Sequence, residues 1–307
     1  MGGIFGLILG KKRRSAEDRD ILKRIFVRLL LANDVPYPHD TGVVAVRTDG
    51  EFRIHKKALR VGKFANEKGF KEVMAFVDDQ TTVLMGQVRR RMPGDPKTVK
   101  SIRPMVTSGV IGTHRGEIFN AKELFERYRL PRETKTDSEV LLQMAAHSTE
   151  KGRINPETFL DDLRPCHGTI SLSMVSLEDP GSIFLLNGAF KYMGKAIHLH
   201  HRAFFYASGE RPCLGAVLLG EPLWHAVNGW PMKLCVYMHE DVRYPWMRSF
   251  IEFETVPERG WRGWIEANAP EERERQAAER AKRKGPLVLK PIPQKWRGAG
   301  CKIIIEH

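Results

Sequence analysis

The sequence predicts an α+β protein built largely from antiparallel strands. Three observations lead there. Helical and strand patterns are mixed but never alternate as strict βαβ units, a tight hairpin signal stands around Asp49, and a series of successive strands begins at Gly168.

The chain opens "MGGIFGLILGKKRR", an apolar run closed by four cations. A secretory signal places its cations before the apolar core, whereas Lys11, Lys12, Arg13 and Arg14 follow it. Gly6 stands where N-myristoylation wants Ser or Thr, and the run is far shorter than the roughly 20 apolar residues of a membrane span. A buried first strand remains. Ser15 then caps a helix whose Ile21, Leu22, Ile25, Phe26, Leu29 and Leu30 recur at helical spacing, with Glu17 and Asp18 in its first turn. "GVVAVRTDGEFRIH" gives two alternating runs around Thr48, Asp49 and Gly50, a hairpin. A helix is expected around Asn66 to Val77. "TTVLMGQVRR" and "MVTSGVIG" read as strands because they are β-branched and lack helical periodicity. Helices follow near Ala121 to Tyr128 and Ser138 to His147. From Gly168 the strands are "GTISLSMVSL", "SIFLLNG", "KAIHLHH" and "AFFYAS", then "MKLCVYMHE" and "MRSFIEFETV", separated by turn formers such as Asp179, Pro180 and Gly181.

After about Pro257 the composition shifts. "APEERERQAAERAKRKG" carries acids early, cations late and only alanines as apolar residues, the pattern of a solvated helix that spaces or contacts a partner. A proline-bearing linker and the strand-like "CKIIIEH" complete the chain. The expected organisation is therefore a domain over residues 1–257 and a short basic appendage over 258–307.

The 307 residues are 42% hydrophobic and 28% charged, as expected of a soluble globular protein of the cytoplasm. A net charge of +13 and a pI near 9.7 favour an anionic partner: nucleic acid, a phosphate-bearing ligand or an acidic protein surface. No membrane association is expected. Cys166, Cys213, Cys235 and Cys301 form no CxxC pair, so neither a zinc ribbon nor a disulfide framework is signalled. His198 and His200 share one strand face, but no acid or cysteine set completes a metal site, and no metal or cofactor is expected. "GIFGLILG" lacks the Gly-Lys-Ser/Thr of a P-loop. Trp261, Arg262 and Trp264 can stack on bases or pack in a core or interface.

A terminal strand gains chemical meaning where an enzyme uses the chain's α-amine as a base beside a nucleophile on the same residue. Here the sequence resembles the class II glutamine amidotransferases, whose members typically begin Met-Cys-Gly-Ile-Phe/Val-Gly, against Met1, Gly2, Gly3, Ile4, Phe5, Gly6. Further segments follow in that family's order. "HDTGVVAV" (His39 to Val46) is similar to its Asp-Ser/Thr-Gly strand, and "LMGQVRRRMPGDP" (Leu84 to Pro96) falls at its His-Thr-Arg-Trp segment. "GTHRGEIFNAKEL" (Gly112 to Leu124) resembles His-Asn-Gly-Glu-Ile-Tyr-Asn, and "TDSEVLL" (Thr136 to Leu142) resembles Thr-Asp-Ser/Thr-Glu-Val. "GTISLSMVSLEDPGSIFLLNG" resembles the later pair of strands and their Asp-Pro turn.

The resemblance implies a four-layer αββα sandwich of the N-terminal-nucleophile hydrolase type. It places Arg89 at the arginine that holds the substrate carboxylate, Asp137 at the aspartate that holds its α-amine, and Arg115 and Gly116 at the segment that stabilises the oxyanion. Each has an ordinary alternative: Arg89 as a solvated strand residue, Gly116 as a turn, Asp137 as a helix cap.

The departures carry the functional expectation. Gly2 stands at the nucleophile's place, and glycine has no thiol or hydroxyl to attack an amide. Arg115 replaces an asparagine donor; loss of one oxyanion donor costs about 100 to 1,000-fold in rate. Gln87, Arg90 and Arg91 depart as well. No confident catalytic residue remains, which implies a pseudo-glutaminase that binds a glutamine-like or anionic ligand, or a partner. Two alternatives stay open: a structural or nucleic-acid-associated protein using the fold as a basic scaffold, and an active amidohydrolase with an unrecognised nucleophile.

Overall fold

The computed structural model describes residues 3–10, 12–34, 39–90, 98–187, 193–198, 201, 203–208, 224–226, 233–238 and 250–252. The opening run forms strand β1 (Ile4–Leu9), buried along its whole length. Alternation explains why all six residues are apolar or glycine: Phe5, Leu7 and Leu9 enter one hydrophobic cluster, while Ile4 and Ile8 enter another. Helix α1 (Ala16–Ala32) starts at Ser15, whose hydroxyl accepts the Asp18 N–H at 3.0 Å, as the sequence predicts. It packs Leu22, Ile25, Phe26, Leu29 and Leu30 on that first cluster.

The expected hairpin is formed by β2 (His39–Arg47) and β3 (Phe52–Lys57), which turn through Gly50 at φ +81°. Two helices follow, α2 (Val61–Phe64) and α3 (Lys68–Phe76), and then β4 (Thr81–Arg90). "MVTSGVIG" is divided rather than continuous. Strand β5 (Met105–Thr107) turns back on β6 (Val110–Ile118) because Ser108 and Gly109 both take positive φ, 47° and 77°. The helices α4 (Ala121–Arg127) and α5 (Glu139–His147) stand where the sequence places them. The short ladder of β7 (Thr149–Glu150) with β8 (Arg153–Ile154) precedes α6 (Pro156–Leu163), which Asn155 caps and Pro156 opens.

The strand series follows as β9 (Gly168–Ser176), β10 (Ser182–Asn187), β11 (Met193–His198), β12 (Ala203–Ser208), β13 (Trp224–Ala226), β14 (Lys233–Met238) and β15 (Phe250–Glu252). Two mixed-connection antiparallel sheets result, in the orders β13-β11-β12-β1-β4-β2-β3 and β15-β14-β10-β9-β6-β5. β1 is therefore central, paired with β12 on one side and β4 on the other.

Three buried clusters hold the elements together. α1, α2 and α3 cover one face of the first sheet, through Phe26, Phe64 and Phe70 against Phe5, Val43 and Leu84. α4, α5 and α6 pack Phe125, Leu141 and Phe159 against Leu172, Met174 and Phe184 of the second. The third cluster joins Ile4, Val44 and Met85 of the first sheet to Ile111, Val175 and Leu185 of the second. Burial of this kind, at about 25 cal/mol per Å² of apolar surface, is the main source of stability. Among the described residues no helix is long and apolar enough to cross a membrane. The expected charged helix, linker and terminal strand of 258–307 lie outside the described residues, as do Trp261, Arg262 and Trp264.

Candidate functional site

The site is set by the start of β1. The Gly3 carbonyl accepts the Val88 N–H at 3.0 Å, and Ser208 Oγ accepts the Ile4 N–H at 2.9 Å. Only glycine fits here, since a Cβ on Gly3 would lie 2.2 Å from the Ser208 carbonyl and 2.4 Å from Asn33 Oδ1. Gly2 lies outside the described residues.

Around this strand end the two sheets are tied by polar side chains. Arg115, on β6, donates from Nη1 to the Ser208 carbonyl at 2.8 Å, so the second sheet reaches across to the end of β12. Gln87, on β4, donates from Nε2 to the His114 carbonyl at 2.6 Å in the opposite direction. Deeper between the sheets, buried Tyr206 donates to Ser173 Oγ at 3.0 Å, which in turn meets Thr113 Oγ1 at 2.6 Å. Burial pushes the Tyr206 phenol well above its ordinary range, so it stays protonated and donates.

The site residues expected from sequence are brought to this end of the sheets. Arg89 is half-buried on β4, directly opposite buried Asp40 in the β2 ladder, while Arg90 is exposed, as strand alternation requires. Arg91 lies outside the described residues. Gly116 takes φ +153°, and a Cβ there would sit 1.7 Å from the Thr169 carbonyl, so the close approach of β9 dictates the glycine. At the start of α5 the cap position is Ser138, whose side chain makes no capping bond, and Asp137 precedes it. Asp137 Oδ2 accepts the Ile118 N–H at 2.8 Å.

Three residues complete the cluster without having been singled out from sequence: Arg103, His114 and Ser138. Arg103 directs Nη2 to Asp137 Oδ1 at 3.5 Å and to Ser138 Oγ. His114 donates from Nε2 to the Thr169 carbonyl at 3.0 Å, because a carbonyl can only accept, and its Nδ1 faces Ser138 Oγ at 2.7 Å. The Ser138 hydroxyl has one proton to place, on His114 Nδ1 or toward Asp137 Oδ1 at 3.4 Å. Protonation of His114 would therefore turn that hydroxyl to the carboxylate. Burial opposes ionisation of Asp137, but His114, Arg103 and the backbone N–H groups of Ile118 and Ser138 outweigh it and hold the carboxyl below its usual range.

Lys56 borders the cluster and donates from Nζ to the Pro104 carbonyl at 3.1 Å. Burial, aided by the charge of Arg103, lowers its pKa to about 8. His114 and Ser138 lie inside segments the sequence already offers as motifs. Arg103 stands in "SIRP", which carries no readable pattern.

The arrangement offers cationic donors and a carboxylate held by internal partners, but no activated nucleophile among the described residues near Gly3. Cys166 is buried near α6, and burial drives its thiol up to about 12, which leaves it inert. Among the described residues no group of three metal-ligating side chains assembles. His198 ends β11, and His200 lies outside the described residues.

No family model matches the chain. Over 170 residues it is 27% identical to a 7-cyano-7-deazaguanine synthase of Saccharolobus solfataricus, covering 54% of this chain and 35% of that protein. Solved structures share its fold, among them two chains of which it covers about half. One, described as the allosteric regulatory enzyme of purine biosynthesis, superposes with a TM-score of 0.55 at 15% identity. The other, a glutamine phosphoribosylpyrophosphate amidotransferase from B. subtilis complexed with ADP and GMP, gives 0.51 at 16% identity. Each match covers 77% of this chain and 49% of the other. The chain thus spans about a third of the length of the curated relative and half that of the solved structures.

Proposed function

We propose that the chain is a class II glutamine amidotransferase-like protein that has lost the cysteine nucleophile and serves as a ligand- or partner-binding module. Its αββα layering and its division at residue 257 belong to the same reading. The observation that carries it is that Arg115 reaches the Ser208 carbonyl while Ser208 Oγ takes the Ile4 N–H at the start of β1, with Arg89 on the adjoining β4, where Gly2 precedes Gly3 in sequence and supplies no attacking group. The fold likeness to a glutamine amidotransferase supports it.

Calorimetric titration of the full chain with L-glutamine and with the plain dicarboxylate glutarate tests this. Saturable binding heat without continuing turnover heat, weakened in Arg89→Ala and Arg115→Ala, is expected. Continuing heat, or affinities untouched by both substitutions, would contradict it.

A second reading, a basic scaffold for nucleic acid, has its own observation. A groove of about 570 Å³ between α1 and α3 carries Lys23, Arg24, Arg28 and Lys71 against the single carboxylate of Asp20. Salt-sensitive binding to unrelated DNA or RNA sequences, lost when these cations are replaced, would favour it.

A further inference from the structure

Arg103 changes what Asp137 can hold. The Arg103 side chain is only 4% exposed, and a guanidinium withdrawn from water needs a nearby carboxylate and acceptors. Asp137 Oδ1 and Ser138 Oγ both face its Nη2, and Asp137 Oδ2 accepts the Ile118 N–H. Both carboxylate oxygens thus have partners inside the protein. In the resembled family this aspartate receives the α-amine of the substrate. A substrate ammonium brought to Asp137 here would share the carboxylate with a buried guanidinium already 3.5 Å from Oδ1, and the two like charges would repel. The charge of Arg103 cannot be shed, because arginine is not deprotonated in proteins.

The backbone holds Arg103 in this position. Gly42, on β2, leaves room for the Arg103 carbonyl, which would lie 2.1 Å from a Cβ at that residue. Lys56 anchors the following carbonyl, of Pro104. Arg89 and Arg115 add cationic donors at the same end of the sheets.

We propose that the site takes a small carboxylate that carries no α-ammonium group, and that Arg103 is the residue that sets this preference. The proposal rests on the reading that a small-ligand pocket persists.

The test compares L-glutamine with glutaramate, which has the same chain and amide but no amino group, by calorimetry on the full chain. Glutaramate should bind at least about tenfold more tightly, a difference of about 1.4 kcal/mol. Arg103→Gln should shrink or reverse that ratio, and Arg103→Lys, which keeps the charge, should preserve it. Thermal melting of each variant shows whether it is folded; if Arg103→Gln is not, the wild-type ratio and Arg103→Lys decide. L-Glutamine binding as tightly as glutaramate, or a ratio unchanged in folded Arg103→Gln, overturns the proposal and leaves the pocket standing. No saturable heat from either compound overturns the pocket itself and the proposal with it.

Discussion

Arg103 and Asp137 meet at 3.5 Å across 34 positions of sequence, the arginine 4% and the aspartate 28% exposed. A pair of this kind stabilises mainly by preventing a buried charge from being stranded. Asp137→Asn should therefore cost about 3 kcal/mol, toward the low end for breaking a buried pair because the aspartate is partly solvated. Replacing Arg103 and Asp137 together by Met and Leu should cost clearly less than the single change. Urea denaturation of the three proteins measures this, and equal losses in the single and double variants would argue against stranding.

The same carboxylate predicts an acid limb. Its pKa is lowered in the folded protein, so its contribution is complete above the unfolded value, about 3.9, and is lost as pH falls through the folded value beneath it. Denaturation between pH 6 and pH 2 should show wild type converging on Asp137→Asn as the carboxyl is protonated. A constant gap across that range would mean that the charge of Asp137 contributes nothing.

Lys56 acts at the opposite end of the pH scale. Its folded pKa of about 8 lies below the roughly 10.4 of an unfolded lysine, so the unfolded chain binds more protons between those values. Stability from this group should rise as pH climbs from 8 toward 10.4, and Lys56→Met should flatten the rise. Amine-selective labelling of Lys56 followed by peptide mass analysis should show a midpoint near 8.

Gly42→Ala probes the support of Arg103 without touching a functional group. The added Cβ would lie 2.1 Å from the Arg103 carbonyl, so β2 or the Arg103 backbone has to move. A loss of about 1 to 3 kcal/mol is expected, as for overpacking elsewhere, together with a weaker glutaramate preference. Retained preference alongside lost stability would separate the strand's packing from the arginine's position.

Between the sheets, Tyr206→Phe removes a donor but leaves Ser173 and Thr113 bonded to each other, and should cost about 1 kcal/mol. Ser173→Ala leaves a buried phenol unpaired and should cost more, about 1 to 3 kcal/mol. The ordering of the two variants in thermal melts is the check.

Much of this fold could be read from local pattern. The β1 run, the Ser15 cap and the turn at Gly50 depend on neighbours within a few residues, and each appears where its spacing places it. α6 carries a signal of the same kind, Asn155 and Pro156 ahead of Phe159, Leu160 and Leu163, but the polar residues between them obscure its apolar face. "MVTSGVIG" conceals its turn because Ser108 takes positive φ without being glycine. The site divides along the same line. Arg89, Arg115, Gly116 and Asp137 were visible because they lie in recognisable segments. Arg103 was not, since its meaning comes from Asp137 and Ser138, brought beside it by the packing of α5 on β5 and β6.

The central claim, that the chain binds without cleaving, is tested most directly by ammonia release from L-glutamine in the presence of the full chain. The account predicts no release above the protein-free control. Release proportional to protein concentration and abolished by Arg89→Ala would show that a nucleophile operates at this site, and would contradict it.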